Sequence, residues 1–411
     1  MSDSPEDELD SLDRALEGLL SIIETMPPAV RNRTKKEIEQ LLGLLRDRRS
    51  PRVMLLGRRG AGKSGLINAI FGAPVREVGP VGAQTGAPCW ELCEFGGREM
   101  EILDTRGVQE ASRPAEADPA ESAEESLMNA VRERCPDVIL FLVKAREVDA
   151  AISGDLAALE SVHREAVRVH GTEVKIVPVL SQCDELDPGY LHSPPYSAKK
   201  AGHIREASKL FAEHLRENDY LAPFIACEVV PTSGLMGLDE QDRHLDPDLD
   251  FRWNIDLLAL RMQDVLPDAT QLAFVRLAQF RRVQKQVARR IVFITAAVCG
   301  GIGLQPIPVA DLPFITALQV FMIMVIAYIS GREISVELAR ELGVGLGLNI
   351  GAGVAFREIA RALLKLIPGP GNAVSGAMAA AGTKAIGSAA IVYFIDKQPL
   401  DAARRRFEAG G

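Results

Sequence analysis

Apolar residues recur along the chain with two different periods, and the change of period divides the sequence into segments. Between about residues 4 and 49 they recur every three or four positions, which predicts helices. From 52 to 238, short apolar runs alternate with amphipathic helical patterns, which predicts a mostly parallel sheet covered by helices. Beyond that region the pattern is helical again. The predicted fold class is therefore α/β, with an additional all-α part.

The predicted sheet has six strands, and one of them is antiparallel. The runs 89–95 and 98–104 are separated by Gly96-Gly97, which predicts a hairpin. The first strand precedes this hairpin, and three further strands are expected at 137–143, 174–180 and 225–230. In sheets of this kind, ligands bind at the carboxyl ends of the strands.

The carboxyl-terminal third contains two uncharged apolar runs, 291–304 and 314–330. Each is shorter than the roughly 20 residues that a membrane-spanning helix needs. Two interpretations stay open. The runs form a helical hairpin in or on a membrane, with the basic cluster 281–290 facing anionic lipid, or they form the core of a soluble helical domain. Small residues at four-residue spacing fit both interpretations: Gly343, Gly347 and Gly351, and Ala379, Thr383 and Gly387.

These patterns predict four regions. Residues 1–50 form a helical arm, 51–238 an α/β domain, 239–268 a linker helix, and 269–411 a helical, membrane-associated domain. The amino-terminal helices are expected to join that last domain or to act as a simple amphipathic cap.

Composition restricts the partners and the compartment. Acidic residues outnumber basic ones, 56 to 47, so net charge does not suggest a nucleic-acid partner. The six cysteines are dispersed, which is typical of a reduced cytoplasmic compartment rather than of a disulfide framework.

The first apolar run leads into a glycine-rich loop with the spacing G-x-x-x-x-G-K-S. Glycines at these positions let the main-chain N–H groups point at phosphate oxygens, and the following helix presents the positive end of its dipole. Lys63 is expected to reach the β- and γ-phosphates, and Ser64 to supply a hydroxyl to a magnesium ion. The predicted nucleotide-binding residues of this loop are Gly57, Gly60, Ala61, Gly62, Lys63, Ser64 and Gly65.

Two later elements fit a magnesium and γ-phosphate site. Thr85 lies in a loop rich in glycine and proline and is the candidate to complete the magnesium shell. The third strand ends in Asp104-Thr105-Arg106-Gly107, where the carboxylate would hold magnesium through water and the Gly107 N–H would sense the γ-phosphate. The predicted metal ligands are therefore Ser64, Thr85 and Asp104.

In order along 52–238, these elements, with Ser181-Gln182-Cys183-Asp184 and Ser233-Gly234, resemble the Era-like, translation-factor-type GTPases. The resemblance implies a Ras-like P-loop GTPase fold, GTP or GDP with Mg²⁺ as ligands, and GTP hydrolysis. It also implies that Asp184 accepts hydrogen bonds from the guanine N1 and N2 groups, and that the main chain near Ser233 contacts the guanine O6.

The sequence departs from the family at three places. Ser181-Gln182 occupies the usual Asn-Lys position, and Gln182 lacks the charge of the lysine, which weakens the expected guanine preference and affinity. Val108 lies where some relatives have a catalytic glutamine, and because an apolar residue cannot orient water, hydrolysis is expected to be slow. Gly60 replaces an asparagine that is frequent in relatives, which argues against potassium activation. Arg59, with its neighbour Arg58, is a candidate arginine finger within the loop. The predicted catalytic residues are Lys63, Thr85, Gly107 and Arg59.

Residues 254–398 resemble a helical domain of unknown function that follows some bacterial Era-like GTPases and occurs in some inner-membrane proteins. The shared features are Trp253-Asn254-Ile255-Asp256, Pro306-Ile307-Pro308 with Asp311, Tyr328-Ile329-Ser330-Gly331 and Ile367-Pro368-Gly369. The resemblance implies membrane association. A distant similarity to immunity-related GTPases, whose helical domain is formed from both chain ends, fits the amino-terminal helices.

The expected function is that of a bacterial-type GTP-binding protein that hydrolyses GTP slowly and couples nucleotide state to a membrane-associated helical domain. The alternatives are a nucleotide-stabilised scaffold without significant hydrolysis, and a self-assembling membrane-remodelling GTPase of the dynamin-like or immunity-related type. The expected partners are a guanine nucleotide and a membrane lipid or inner-membrane protein, and a homodimer or larger assembly remains open. The expected location is cytoplasmic, peripheral to or embedded in the cytoplasmic membrane.

Overall fold

The computed structural model describes most of the chain. The described residues are 17, 20–21, 23–24, 28–45, 49–75, 90–95, 98–104, 123–149, 152–238, 245–302, 312–332, 342 and 376–410. They divide into two compact units, residues 49–278 and residues 1–48 with 279–411. The second unit is thus formed from both chain ends.

The first unit is built on a sheet whose six described strands have the order β2-β3-β1-β4-β5-β6. Only the β2–β3 pair is antiparallel. The predicted α/β class, the mostly parallel sheet and its one antiparallel strand are confirmed. The strands are β1 (Arg52–Leu56), β2 (Trp90–Phe95), β3 (Arg98–Asp104), β4 (Val138–Lys144), β5 (Lys175–Ser181) and β6 (Val230–Pro231).

Helices cover both faces of this sheet because its central strands are apolar on both sides. In β4, six of the seven residues are buried, and in β5 again six of seven. In chain order the first unit contains α3 (Lys63–Phe71), α4 (Ala123–Glu133), α5 (Ile152–His170), α6 (Ala198–Glu217), α7 (Ile255–Val265) and α8 (Asp268–Ala278).

The end of the first unit differs from the sequence prediction. The last strand is only two residues long, and the predicted run 225–230 otherwise contributes a single bridge between Ile225 and Ile176. A small antiparallel pair, β7 (Met236–Leu238) and β8 (Leu245–Asp250), follows and was not predicted. Its second strand is polar and contains Pro247, so it lacks the apolar pattern of a strand.

Helices α7 and α8 belong to the unit that contains the sheet, although the sequence pattern assigns 239–268 to a linker and 269–278 to the helical domain. The basic helical pattern that runs from 269 into the apolar run 291–304 does not form one continuous helix. It is interrupted at Gln279, whose φ of 48° lies in the left-handed region that a helix does not use. The second unit begins at this interruption.

The described helices of the second unit pack through small residues and a few buried polar groups. A Cβ added to Gly387 would lie 2.4 Å from Val292, so this glycine permits close helix packing, in agreement with the predicted small-residue spacing. Thr383 accepts a hydrogen bond of 3.0 Å from Gln319, and both side chains are fully buried. The helices are α1 (Pro28–Arg33), α2 (Lys35–Leu45), α9 (Arg281–Ile302), α10 (Leu312–Ile329), α11 (Gly376–Ala390) and α12 (Leu400–Glu408).

Within the described part of the chain, one helical segment is long and apolar enough to cross a membrane. It is 376–395, which comprises α11 and the π-helical turn Ile391–Ile395. Slightly more than half of its apolar window is buried inside the protein. The predicted Gly343, Gly347 and Gly351 stripe lies outside the described residues.

Candidate functional site

The glycine-rich loop connects the carboxyl end of β1 to the start of α3. Gly60 and Gly62 have φ values of 73° and 79°, a left-handed conformation that side chains with a Cβ rarely adopt. A Cβ on Gly57 would lie 2.5 Å from the Leu142 main-chain oxygen, because the loop rests against the end of β4. The sequence pattern and the backbone conformation therefore agree on why glycine is needed at these three positions.

The side chain of Lys63 is buried within the loop that it follows. Its Nζ donates hydrogen bonds of 2.8 Å to the Gly57 oxygen and 3.1 Å to the Arg58 oxygen. The amine is thus held across the loop at the amino terminus of α3. A buried cation beside a helix amino terminus is an arrangement that favours an anion.

The loop after β5 is joined directly to the glycine-rich loop by Gln182. This residue has a φ of 55°, and its Nε2 donates a hydrogen bond of 3.0 Å to the Gly60 main-chain oxygen. Its side chain also lies beside Gly62, 3.5 Å from where a Cβ would be. The family's lysine is absent at this position, but the amide of glutamine still connects the two loops.

Asp184 lies in the short 3₁₀ turn Cys183–Glu185, and its carboxylate belongs to a largely buried side chain. The turn is held by Lys200 of α6, whose Nζ donates to the main-chain oxygens of Asp184, Pro188 (3.3 Å) and Leu191 (2.6 Å). The Lys200 side chain is fully buried, and burial lowers the pKa of its amine. Lys200 therefore fixes the shape of the segment that carries Asp184.

Ser233 is anchored rather than open to a ligand through its own main chain. Its N–H donates to the Trp253 oxygen at 3.1 Å, and its carbonyl accepts from the Trp253 N–H at 2.9 Å. The next residue, Gly234, packs against the first turn of α3, where a Cβ would lie 3.1 Å from the Gly65 oxygen. The segment 231–234 is thus fixed next to the glycine-rich loop.

The two loop arginines have different surroundings. Arg58 forms an ion pair with Asp155 of α5, with 2.9 Å between Nε and Oδ2. Burial raises the pKa of Asp155, although the hydrogen bond from Arg58 opposes that shift. Arg59 is exposed at the tip of the loop. The ion pair with Asp155 restrains the Arg58 side chain.

The structure brings most of the predicted nucleotide-binding residues to one edge of the sheet. The loop 57–65 follows β1, the segment 181–184 follows β5, and Ser233 follows β6. Asp104 ends β3 at the same edge, and only its main chain is described. Thr85, Gly107 and Val108 lie outside the described residues.

Three residues of this region were not assigned to the site from the sequence. Lys200, Asp155 and Trp253 each hold a predicted site segment through a contact distant in sequence. No motif or periodicity marks Lys200 and Asp155, since a lysine or an aspartate on a helix usually faces solvent. Trp253 was noted only as a shared feature of the carboxyl-terminal helical domain.

The chemistry of this edge fits a nucleotide. The left-handed glycines and the amine of Lys63 suit a phosphate group, and the buried carboxylate of Asp184 suits a ring that presents N–H donors. Among the described side chains, the Ser64 hydroxyl at the start of α3 is the predicted magnesium ligand, and this half-buried position is compatible with that role.

Comparison with known proteins gives a match over the same region. Residues 52–177 match the family model described as 50S ribosome-binding GTPase. Over 195 residues the chain is 28% identical to the tRNA modification GTPase MnmE of Polaromonas sp., covering 46% of this chain and 38% of that protein. It is 32% identical over 175 residues to the uncharacterized protein YfjP of Escherichia coli, covering 42% and 54% respectively.

Among solved structures, Toc33 from Arabidopsis thaliana in complex with Mg²⁺ and GMPPNP aligns with a TM-score of 0.35 and 20% identity. That alignment covers 62% of this chain and 95% of the Toc33 chain. The chain spans about half or less of the length of the curated relatives it matches.

The strand order, the glycine-rich loop and the family match together define residues 52–177 as the core of a P-loop GTPase domain. Proteins of this class bind GTP with Mg²⁺ through the loop and the hydroxyl that follows its lysine. The ligands expected from the sequence, GTP or GDP with Mg²⁺, are therefore the ligands of this class of domain.

Proposed function

We propose that this protein binds GTP with Mg²⁺, hydrolyses it slowly, and uses the nucleotide state to control a membrane-associated helical unit. The observation that carries the nucleotide assignment is the Gln182–Gly60 hydrogen bond. It joins the Asp184 segment to the glycine-rich loop, so that a single ligand can contact both.

The residues of the site have separate roles in this proposal. Lys63 and the main-chain N–H groups of the loop hold the phosphates, Ser64 is a magnesium ligand, and Asp184 accepts from the guanine N1 and N2 groups. Because the Ser233 N–H already donates to Trp253, the neighbouring main-chain N–H of Gly234 is the candidate donor to the guanine O6. Thr85, Asp104 and Gly107 remain the predicted magnesium and γ-phosphate residues, and Arg59 the candidate finger.

Slow hydrolysis is proposed from the apolar residue at Val108, which cannot orient a water molecule. Control of the helical unit is proposed from the packing of α8. This helix contacts β3, the strand that ends at Asp104, and α3, the helix that follows the glycine-rich loop. Helix α8 ends at Ala278, and the second unit begins at the next residue. A movement of β3 or α3 can therefore be transmitted to that unit through α8.

Membrane association and a cytoplasmic location are proposed from the apolar helices of the second unit and from its long basic stretch. The segment 376–395 has a mean hydropathy of 1.4 over its most apolar window, and the segment 317–329 is a shorter apolar helix. The chain has no acidic residue between Asp268 and Asp311, whereas five basic residues lie between 281 and 290.

The decisive experiment measures the affinities for GTP and ATP in the presence of magnesium, for the wild type and for Asp184→Ala. We expect a strong GTP preference that the substitution removes, because adenine lacks the two donors that the carboxylate binds. Glu185→Ala is the matched control, since it removes a neighbouring carboxylate from the same turn. Equal affinities for both nucleotides in the wild type would refute the guanine assignment.

A second measurement addresses hydrolysis. Phosphate release over many turnovers, lost in Lys63→Ala, is expected for a GTPase. Tight GTP binding without phosphate release would instead favour the nucleotide-stabilised scaffold. A specific activity that rises steeply with protein concentration would favour a self-assembling GTPase.

A further inference from the structure

Lys144, the last residue of β4, extends to the glycine-rich loop. The parallel register of β4 and β5 pairs Lys144 with Ser181, the residue directly before Gln182. A Cβ placed on Gly60 would lie 3.1 Å from the Lys144 Nζ and 3.4 Å from its Cε. Gln182 donates its hydrogen bond to the main-chain oxygen of the same glycine. An ammonium group and an amide, from the ends of two neighbouring strands, therefore meet at Gly60.

The two side chains divide between them what a single lysine would supply. Gln182 lies where the Era-like GTPases have the lysine of their Asn-Lys pair, and it retains a donor to the loop without the charge. Lys144 brings a charge to the same residue of the loop from the neighbouring strand. In the proposed site this loop surrounds the nucleotide phosphates, so a cation beside it favours their binding.

The Lys144 ammonium is held in place by an ion pair. The side chain is 23% exposed, and its Nζ donates a hydrogen bond of 3.0 Å to Oε1 of Glu147. An ammonium group has three donors, so Glu147 occupies only one of them. Because the Glu147 side chain is the more exposed of the two, at 39%, water screens its carboxylate more strongly than it screens the ammonium. The ion pair thus orients Lys144 beside Gly60 without using all of its donors.

The neighbouring charges balance each other. Arg58 and Asp155 line the same small pocket as Lys144 and Glu147, between the glycine-rich loop and the end of β4. They form an ion pair, with 2.9 Å between Nε and Oδ2. Replacing Lys144 by a neutral residue therefore changes the charge beside the loop by one unit and leaves the Arg58–Asp155 pair in place.

We infer that Lys144 supplies the positive charge that a lysine at position 182 would provide, while Gln182 supplies only the hydrogen bond between the two loops. Lys144 is thus a residue of the phosphate site, although it lies at the end of a strand and in no sequence motif. This inference rests on the proposed nucleotide binding and names a further residue of that site. It also explains how a glutamine can occupy position 182 without loss of the charge beside the loop.

The test is a double-mutant cycle on the full-length protein, with a fluorescent GDP analogue and Mg²⁺ as the probe, so that hydrolysis does not affect the measurement. Lys144→Met should lower the affinity roughly fivefold or more, and this loss should become smaller at high salt concentration. Gln182→Lys should restore most of the loss in the Lys144→Met protein. In the wild-type background the same substitution should raise the affinity less, because two ammonium groups beside Gly60 repel each other.

The matched control is Lys175→Met. Lys175 begins β5, at the other end of the strand from Ser181, and its Nζ lies 3.4 Å from a carboxylate oxygen of Glu173. The control therefore also removes a strand lysine that pairs with a carboxylate, and it should bind the probe like the wild type. Lys144→Gln is a second variant that keeps a polar side chain, and it should show the same loss as Lys144→Met. The thermal unfolding temperature reports whether each variant is folded.

Three results would overturn the inference. They are an unchanged affinity in both Lys144 variants, a loss that does not depend on salt concentration, and an equal gain from Gln182→Lys in both backgrounds. Equal gains would show that the two positions act independently. If the wild type binds the probe and the Lys144 variants bind it equally well, only this inference fails. If the wild type binds no guanine nucleotide, the proposed function fails with it.

Discussion

The Arg98 guanidinium donates a hydrogen bond of 3.0 Å to the main-chain oxygen of Leu277. The same Nη1 donates to the Phe71 oxygen at 3.1 Å. One side chain at the start of β3 thus holds the carboxyl ends of α3 and α8, where helix carbonyls lack partners within the helix. Arg98 therefore connects the strand and the helix that carry site residues to the last helix before the second unit.

Arg98→Met should weaken this connection and destabilise the first unit. Two partly buried carbonyl oxygens lose their donor, and leaving such groups unpaired costs about 1–3 kcal/mol of unfolding free energy. Hydrogen exchange along 268–278 should accelerate, and GTP binding should persist. Urea unfolding and hydrogen exchange measure both effects.

The control for Arg98 is Arg168→Met. Arg168 is an exposed arginine that pairs with Glu165 on α5, and a surface ion pair of this kind contributes at most about 1 kcal/mol. If both variants lose the same stability, the carbonyl contacts of Arg98 have no special importance.

Lys200→Met should lower the affinity for GTP by roughly tenfold or more. It removes the amine that holds three main-chain oxygens around the Asp184 segment, and hydrogen bonds to a charged group contribute about 1.5–3 kcal/mol. Lys199→Met is the matched control, because its neighbouring side chain is exposed. Titration with a fluorescent GTP analogue distinguishes the two, and equal affinities in the two variants would contradict the role of Lys200.

Gln182→Ala should weaken GTP binding by about fivefold, since a neutral hydrogen bond contributes about 1 kcal/mol. Gln182→Lys should restore or exceed the wild-type affinity, because a lysine can also donate to the Gly60 oxygen and adds a positive charge. Calorimetric titration of the three proteins is the measurement. An alanine variant with unchanged affinity would show that the contact between the loops does not support the ligand site.

His163 should make the first unit sensitive to mild acid. It is fully buried, its Nε2 lies 2.9 Å from the Val174 oxygen and its Nδ1 3.0 Å from the Tyr220 hydroxyl. A carbonyl only accepts hydrogen bonds, so Nε2 carries the proton and Nδ1 accepts from Tyr220. Burial, which disfavours the charged imidazolium, is the main reason that the pKa of His163 lies below its ordinary value. The folded state therefore binds a proton less readily than the unfolded chain.

The sign of the pH effect follows from this difference. The contribution of His163 is fully present above its unfolded pKa of about 6.5 and is lost as pH falls toward the folded pKa. His163→Gln should be less stable than the wild type at pH 8. The difference in unfolding free energy between the two proteins should become smaller below about pH 6.5. Urea unfolding at several pH values tests this. A difference in unfolding free energy that does not change with pH would mean that the pKa of His163 is the same in the folded and unfolded states.

The sequence alone determined the fold class and predicted the location of a ligand site. The central strands are recognisable because β4 and β5 are almost wholly apolar, and the glycine-rich loop because its spacing is restricted by backbone conformation. Both signals are local, so they can be recognised in the sequence without knowledge of the rest of the fold. Asp184 was predicted through the family resemblance, from the segment Ser181-Gln182-Cys183-Asp184 at the end of a strand.

Only the tertiary structure decided how these segments are held together. The contacts of Lys200 with the Asp184 segment, of Trp253 with Ser233 and of Arg98 with Leu277 join residues 16, 20 and 179 positions apart. The break at Gln279 likewise divides a basic helix that the sequence pattern presents as continuous. Hydrophobic periodicity reports which face of an element is buried, but not which donor meets which carbonyl. That choice depends on how distant elements pack, and it is made only when the chain has folded.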